Sequence, residues 1–132
     1  MLFRSLVDHE KLKYKWLAEW DRALIALLKQ KNVLGAAPGK LLHIDPENKI
    51  LIAERANLIF VCNFSPTKSF PGYGITPHHK ATHHLLLDSD AGQYGGHARL
   101  DPATPYPIAE DGQLKFYTTS RSAIVLGSLP IG

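Results

Sequence analysis

Asp88 and Asp90 stand two residues apart in "LLLDSDAGQYGGHARLD" (85–101), ahead of Gly95-Gly96, His97 and Arg99. Acids beside a glycine-rich turn suit three chemistries: calcium coordination, phosphate binding and glycosidic bond cleavage. Each makes a demand on spacing. A calcium loop of the EF-hand type wants oxygen ligands at alternate positions and a glutamate at the twelfth. Counted from Asp88, the fifth residue is Gly92 and the twelfth is Arg99. A phosphate loop ends in Gly-Lys-Ser/Thr and opens a helix; "GGHARL" does neither. Glycoside cleavage needs two carboxyl groups roughly 5–9.5 Å apart on a rigid scaffold. Asp88 and Asp90 sit near that spacing along a strand, but nothing else around them forms an active site. The stretch therefore reads as a turn in which Asp88 is the cap and Gly95-Gly96 supply positive φ.

Five of the seven histidines, His78, His79, His83, His84 and His97, fall between positions 78 and 97. Neutral imidazole ligates transition metals, so the cluster is a candidate. His83 and His84 are neighbours on a predicted strand and should point to opposite faces. The single cysteine, Cys62, lies in an apolar strand and completes no zinc-binding pattern. The expectation is of solvated surface histidines and no dedicated metal site, with His79 and His83 at most an adventitious nickel or zinc pair. Nucleophilic catalysis has no support either. There is no G-x-S-x-G elbow, and Cys62 reads as a small buried hydrophobe. No cofactor is implied.

The totals set the frame for these residues. A chain of 132 residues allows one domain with a real core. Hydrophobic residues at 45% and charged residues at 20% are ordinary for a soluble globular protein. No apolar run spans a bilayer, and no signal peptide pattern opens the chain. A net charge of +3 from 15 basic and 12 acidic residues is too weak and too mixed for a nucleic-acid surface. One cysteine excludes an internal disulfide framework and fits a reducing compartment, so a cytoplasmic protein without a membrane or nucleic-acid partner is expected.

The elements divide near residue 35. Leu12, Trp16, Trp20, Leu24 and Leu27 recur at helical spacing, widened by Leu17, Ala23 and Leu28. The pattern predicts one helix over 8–31, with Asp8 as N-cap and Asn32 and Gly35 as stop signals. Strands follow at 41–44, 49–55, 57–64, 82–89, 113–119 and 122–128. "DPEN" and Ala56-Asn57 are the first turns, and Ser120-Arg121 is expected to close a hairpin. "SPTKSFPGYGITPHHK" is expected to be a long loop, because prolines and glycines interrupt it. The fold class is mostly β: an antiparallel Greek-key-like β-sandwich preceded by one long amphipathic helix.

"LVDHEKLKYKWLAEWDRALIALL", "KILIAERANLIFVCNFSPTKSF", "LLLDSDAGQYGGHARLD" and "LKFYTTSRSAIVL", in this order, resemble the C-terminal end of 1,4-α-glucan (glycogen or starch) branching enzymes of the α-amylase superfamily. The resemblance runs from about residue 5 to residue 128. It implies that residues 1–34 correspond to the last helix of a catalytic (β/α)₈ barrel and residues 35–132 to the all-β C-terminal domain. The chain would then be a terminal portion, with "DSDAGQYGGH" a turn-forming loop outside the catalytic machinery. Three residues depart from the family's habit: Ser65 in place of histidine, Gly74 in place of a basic residue, and Ala98 in place of glycine.

Such enzymes move α-1,4-glucan segments to a 6-hydroxyl to make α-1,6 branches. A barrel takes about 250 residues, so no catalytic residue carries over and the chain alone is expected to be inactive. Its implied role is to brace the barrel, and its implied partners are that barrel and, in the parent enzyme, the α-1,4/α-1,6-glucan. The alternative is a stand-alone α-glucan-binding module that stacks sugar on Phe70, Tyr73, Tyr94 and Tyr106, all in predicted loops. Without a barrel, the face made by Leu12, Trp16, Trp20, Leu24 and Leu27 must bury itself against the β-domain or a second copy. Homo-oligomerisation through the helix is the expectation.

Overall fold

The computed structural model describes residues 14–128. One helix, α1 (Tyr14–Gln30), is followed by a 3₁₀ turn (Val33–Gly35) and seven strands. These are β1 (Lys40–Asp45), β2 (Ile50–Arg55), β3 (Leu58–Asn63), β4 (Phe70–Ile75), β5 (His84–Asp88), β6 (Leu114–Thr118) and β7 (Ser122–Gly127). They form an antiparallel five-stranded sheet in the order β1-β2-β3-β7-β5 and a two-stranded sheet of β4 and β6. The expected mostly-β sandwich with a leading helix is what the chain builds.

Alternation decides which way each strand faces. In β2, Ile50, Ile52 and Glu54 point inward while Leu51 is exposed. In β6, Leu114, Phe116 and Thr118 are buried and Lys115 is exposed. Ile50, Ile52, Ile59, Val61, Ile124 and Leu126 of the large sheet meet Ile75, Leu114 and Phe116 of the small one in the main core. Two hairpins at the start need left-handed residues, and the sequence supplies them. Lys49 (φ 61) closes the turn in which Asp45 Oδ1 accepts from the Asn48 amide. Ala56 (φ 53) and Asn57 (φ 62) join β2 to β3.

The outer face of the large sheet carries a second core. Leu27 and Val33 pack with Leu58, Leu87 and Val125, flanked by Trp20, Ala23, Leu24, Leu28, Phe60, Leu86 and Tyr94. The helical stripe is therefore laid on the chain's own β-sheet, the first of the two burials expected for it. Asn32, left-handed at φ 50, stops the helix where expected. The predicted N-cap Asp8 and the first stripe residue Leu12 lie outside the described residues. On the helix's remaining surface, Leu17 is 58% exposed and Ile25 45%.

Two expectations fail. The segment after β3 is not all loop, because β4 crosses it. β4 pairs with β6 alone, and its register shifts between Phe70 and Tyr73. At such an edge, Pro71 loses no ladder bond that the sheet needs, and Gly72 takes φ 70 in the irregularity. Ser120-Arg121 does not close a hairpin either, since β6 and β7 belong to different sheets. The Ser120 amide donates to Ser69 Oγ at 2.9 Å and the Arg121 amide to Ser65 O at 3.0 Å. These bonds tie the crossing to the segment before β4 instead of closing it on itself.

Leu27→Ala should therefore cost about 2–4 kcal/mol in urea unfolding, because it opens a cavity between helix and sheet. Leu17→Ala should change stability by less than about 0.5 kcal/mol. Equal losses would mean that the helix does not dock by this face.

Candidate functional site

Asp90 is buried, and every one of its carboxylate contacts is a donor from its own loop. Oδ1 accepts from the His97 amide (3.1 Å) and Arg99 Nη2 (3.0 Å). Oδ2 accepts from the Arg99 amide (3.0 Å) and Arg99 Nε (2.9 Å). The guanidinium then donates through Nη1 to Ser120 Oγ (3.0 Å) and through Nη2 to Ser120 O (2.8 Å). A bidentate pair thus clamps the loop after β5 onto the crossing between β6 and β7. Burial pushes the Asp90 carboxyl up, but the hydrogen bonds from Arg99 and His97 and the Arg99 charge outweigh it and bring it to about 2. With four donors on two oxygens, Asp90 has nothing left for a substrate or a cation.

Asp88, also buried, accepts the Asp90 amide on Oδ1 at 2.9 Å, which is the turn cap expected of it. Burial, helped by the Asp90 charge, raises its carboxyl above the ordinary value. Two carboxyls with opposite shifts can mark an acid and a base. Here, however, the second member is consumed by the clamp. Gly95 has φ 79, as expected. Gly96 is small for another reason: a Cβ there would run into the Asp90 backbone. A Cβ on Gly95 would also strike the Trp16 indole, so this glycine admits the helix. Ala98, standing where the resemblance expects glycine, is held at φ 51 while its amide donates to Asp90 O at 2.6 Å.

A recess of about 300 Å³ lies beside β5, lined by Leu85–Leu87, Asp88, Ala91–Tyr94, Ala98, Leu100 and Pro102. Tyr94 is the one nominated aromatic that borders it, and its ring meets Trp20 edge-on at 5.4 Å. Phe70 and Tyr73 lie on β4 and not in a loop, which corrects that expectation. Their ring centres are 6.1 Å apart, and Tyr73 also packs on Phe116 and His43. The Tyr73 hydroxyl donates to Asp45 Oδ2 at 3.0 Å; burial and then that carboxylate push its pKa up to about 12. Tyr106 is buried in the main core. Phe70, Tyr73 and Tyr106 thus belong to the sandwich core, and Tyr94 to the cluster on the opposite face of the large sheet.

The histidines are not uniformly at the surface. His78 and His97 are exposed, His79 and His84 half-buried, and His83 fully buried at 0% exposure. The backbone explains the last. His83 and Tyr106 exchange amide–carbonyl bonds at 2.9 and 2.8 Å, a local bridge that turns the imidazole inward. Among the described residues, no three His, Cys, Asp or Glu side chains are placed to hold a metal ion. Sequence reasoning also missed the Asp90–Arg99 clamp. Its one visible signal was an arginine following the acid and the double glycine.

The alpha amylase C-terminal all-beta domain model matches residues 43–128. The 1,4-alpha-glucan-branching enzyme of Equus caballus is 36% identical over 127 residues, covering 92% of this chain and 18% of the relative. That of Rhizophagus irregularis is 34% identical over 128 residues, covering 92% of this chain and 19% of the relative. That of Saccharomyces cerevisiae is 30% identical over 128 residues, with 92% and 18% covered. The chain thus spans under a fifth of the length of these curated relatives.

The clamp has a pH signature. The folded carboxyl of Asp90 lies below its unfolded value, so the pair stabilises above about pH 4 and its contribution is lost as pH falls towards about 2. The loss should amount to about 2 kcal/mol. Asp90→Asn should lower stability at pH 7 by a similar amount and flatten that part of the acid limb. Urea unfolding at stepped pH checks this, and parallel acid limbs in the two proteins would sink the assignment.

Proposed function

The chain belongs to the alpha amylase C-terminal all-beta domain family, and we propose that it is the non-catalytic C-terminal domain of a 1,4-α-glucan-branching enzyme. In this reading residues 1–34 are the last helix of the catalytic barrel and residues 35–132 the β-domain that braces it. The parent enzyme transfers α-1,4-glucan segments to form α-1,6 branches, and this chain contributes no catalytic residue to that reaction. The observation that carries the bracing role is the breadth of the helix's apolar arc. Trp20, Leu24 and Leu27 lie on the sheet, yet Leu17, beside Leu24 on the helix, and Ile25 further round remain exposed. An apolar arc wider than the sheet covers suits a position between two packed bodies. In the isolated chain the same uncovered residues favour self-association. The single cysteine suits a reducing cytoplasm, and no described helix is long and apolar enough to cross a membrane.

A second reading, a stand-alone α-glucan-binding module, draws on the recess beside β5. There Tyr94 offers an aromatic edge, and Gln93 and Asp88 offer polar groups. Tyr94 is its proposed contact, because Phe70, Tyr73 and Tyr106 pack with the sandwich core on the other face of the large sheet.

One pair of measurements tests both readings. The chain is added in trans to a yeast branching enzyme lacking its matching C-terminal segment, and branching of amylose is followed. Recovery of activity with the wild-type chain, and not with Leu17→Asp/Ile25→Asp, is expected for a bracing domain. In parallel, maltoheptaose is titrated against intrinsic fluorescence, with cellohexaose as control. Saturable binding to maltoheptaose alone, abolished by Tyr94→Ala, together with no recovery in trans, would replace the bracing reading with the module.

A further inference from the structure

We propose that His79 and His83 form a two-imidazole site for a borderline divalent cation of the zinc or copper class. His83 is wholly buried, and its Nδ1 lies 2.7 Å from Ala81 O. A carbonyl only accepts, so Nδ1 carries the proton and Nε2 of the neutral ring carries a lone pair. That Nε2 is buried and has no hydrogen-bond partner among the described residues. A buried acceptor left without a partner is costly, and a cation is one way to satisfy it.

The second imidazole is next to it. The rings of His79 and His83 have centres 5.9 Å apart and planes at 73°. Two imidazoles that share one ion, each with its nitrogen about 2 Å from the metal, have ring centres about 5–6 Å apart. Coordination would require the half-buried His79 ring to turn a nitrogen towards His83 Nε2. The Nδ1–H···O=C bond of His83 is the kind of outer contact that orients metal-binding imidazoles.

Glu54 is the positioning residue. It is buried on β2, and its Oε1 accepts from the His78 amide (3.0 Å) and lies 2.9 Å from His78 Nδ1. Its Oε2 accepts from the His79 amide (3.1 Å). One carboxylate thereby pins the backbone that carries His79 and places negative charge near an incoming cation. A recess of about 400 Å³ is lined by Glu54, His78 and His79 but not by His83, so a cation would pass the His79 ring to reach Nε2, and Lys40 and Arg55 on the recess wall oppose it. Imidazole donors favour zinc, copper and nickel over magnesium or calcium. No third protein ligand converges among the described residues, so water fills the remaining positions. Such an ion would clamp the segment after β4 to the start of β5.

The test is calorimetric titration of the full chain with zinc chloride, paired with imidazole ¹H–¹⁵N NMR. One ion per chain should bind, and His79→Gln should weaken it at least about tenfold while His78→Gln changes it less than about twofold. Because replacing the wholly buried His83 endangers the fold, the NMR of the wild-type protein reports that residue: zinc should shift His83 Nε2 and leave Nδ1 protonated. Absence of stoichiometric binding, binding indifferent to His79→Gln, equal loss in His78→Gln, or zinc shifts that spare His83 would each overturn the site.

Discussion

Strand β7 is buried on both faces, and the rest of the architecture follows from that burial. Ile124 and Leu126 enter the core between the sheets, whereas Val125 enters the cluster beneath the helix. A strand with two buried faces needs a cover on each side. The small sheet of β4 and β6 provides one, and α1 provides the other. β7 is also paired on both edges, with β3 and β5. Its neighbours in sequence cannot be its neighbours in the sheet, so β6 has to leave for the opposite layer across Ser120-Arg121.

A sheet-to-sheet crossing lacks the cross-strand bonds that hold a hairpin turn. Side chains supply the substitute. Arg99 reaches Ser120 with two bonds, Ser69 and Ser65 take the next amides, and the Ser122 hydroxyl donates to Thr119 O at 2.7 Å. Asp90 holds Arg99 in place for this task. The carboxylates that invited a catalytic interpretation are therefore spent on closure. Their shifted proton affinities record burial and hydrogen bonding, which structural networks produce as readily as active sites.

Elements whose pattern is local were legible in the sequence. The alternation in 49–55 and 113–119 located β2 and β6 to within about a residue, and Asn32 marked the end of the helix. What was not legible depended on partners distant along the chain. β4 was hidden because Pro71 and Gly72 mimic a loop, and only pairing with β6 makes that segment a strand. His83 looked like surface because nothing near it announces the bridge to Tyr106. The resemblance carried by several blocks in order placed the fold correctly, but no spacing rule could show that Asp90 and Arg99 would meet.

Some parts of the molecule are closed on themselves and others are not. Around Asp90 both carboxylate oxygens are saturated, and Gly95 and Gly96 are explained by what they admit. Ala98 and, in the crossing, Arg121 retain strain there as non-glycine residues at φ 51. Elsewhere several groups among the described residues lack a counterpart, among them the exposed Leu17 and Ile25 of α1 and the lone pair on His83 Nε2. Their chemistries differ. An aliphatic helix face calls for a packed protein surface, and a buried imidazole nitrogen calls for a proton donor or a metal. Because β2 carries Glu54 under the histidines, and also the turn at Ala56 that packs with the helix, the two features share one strand as support.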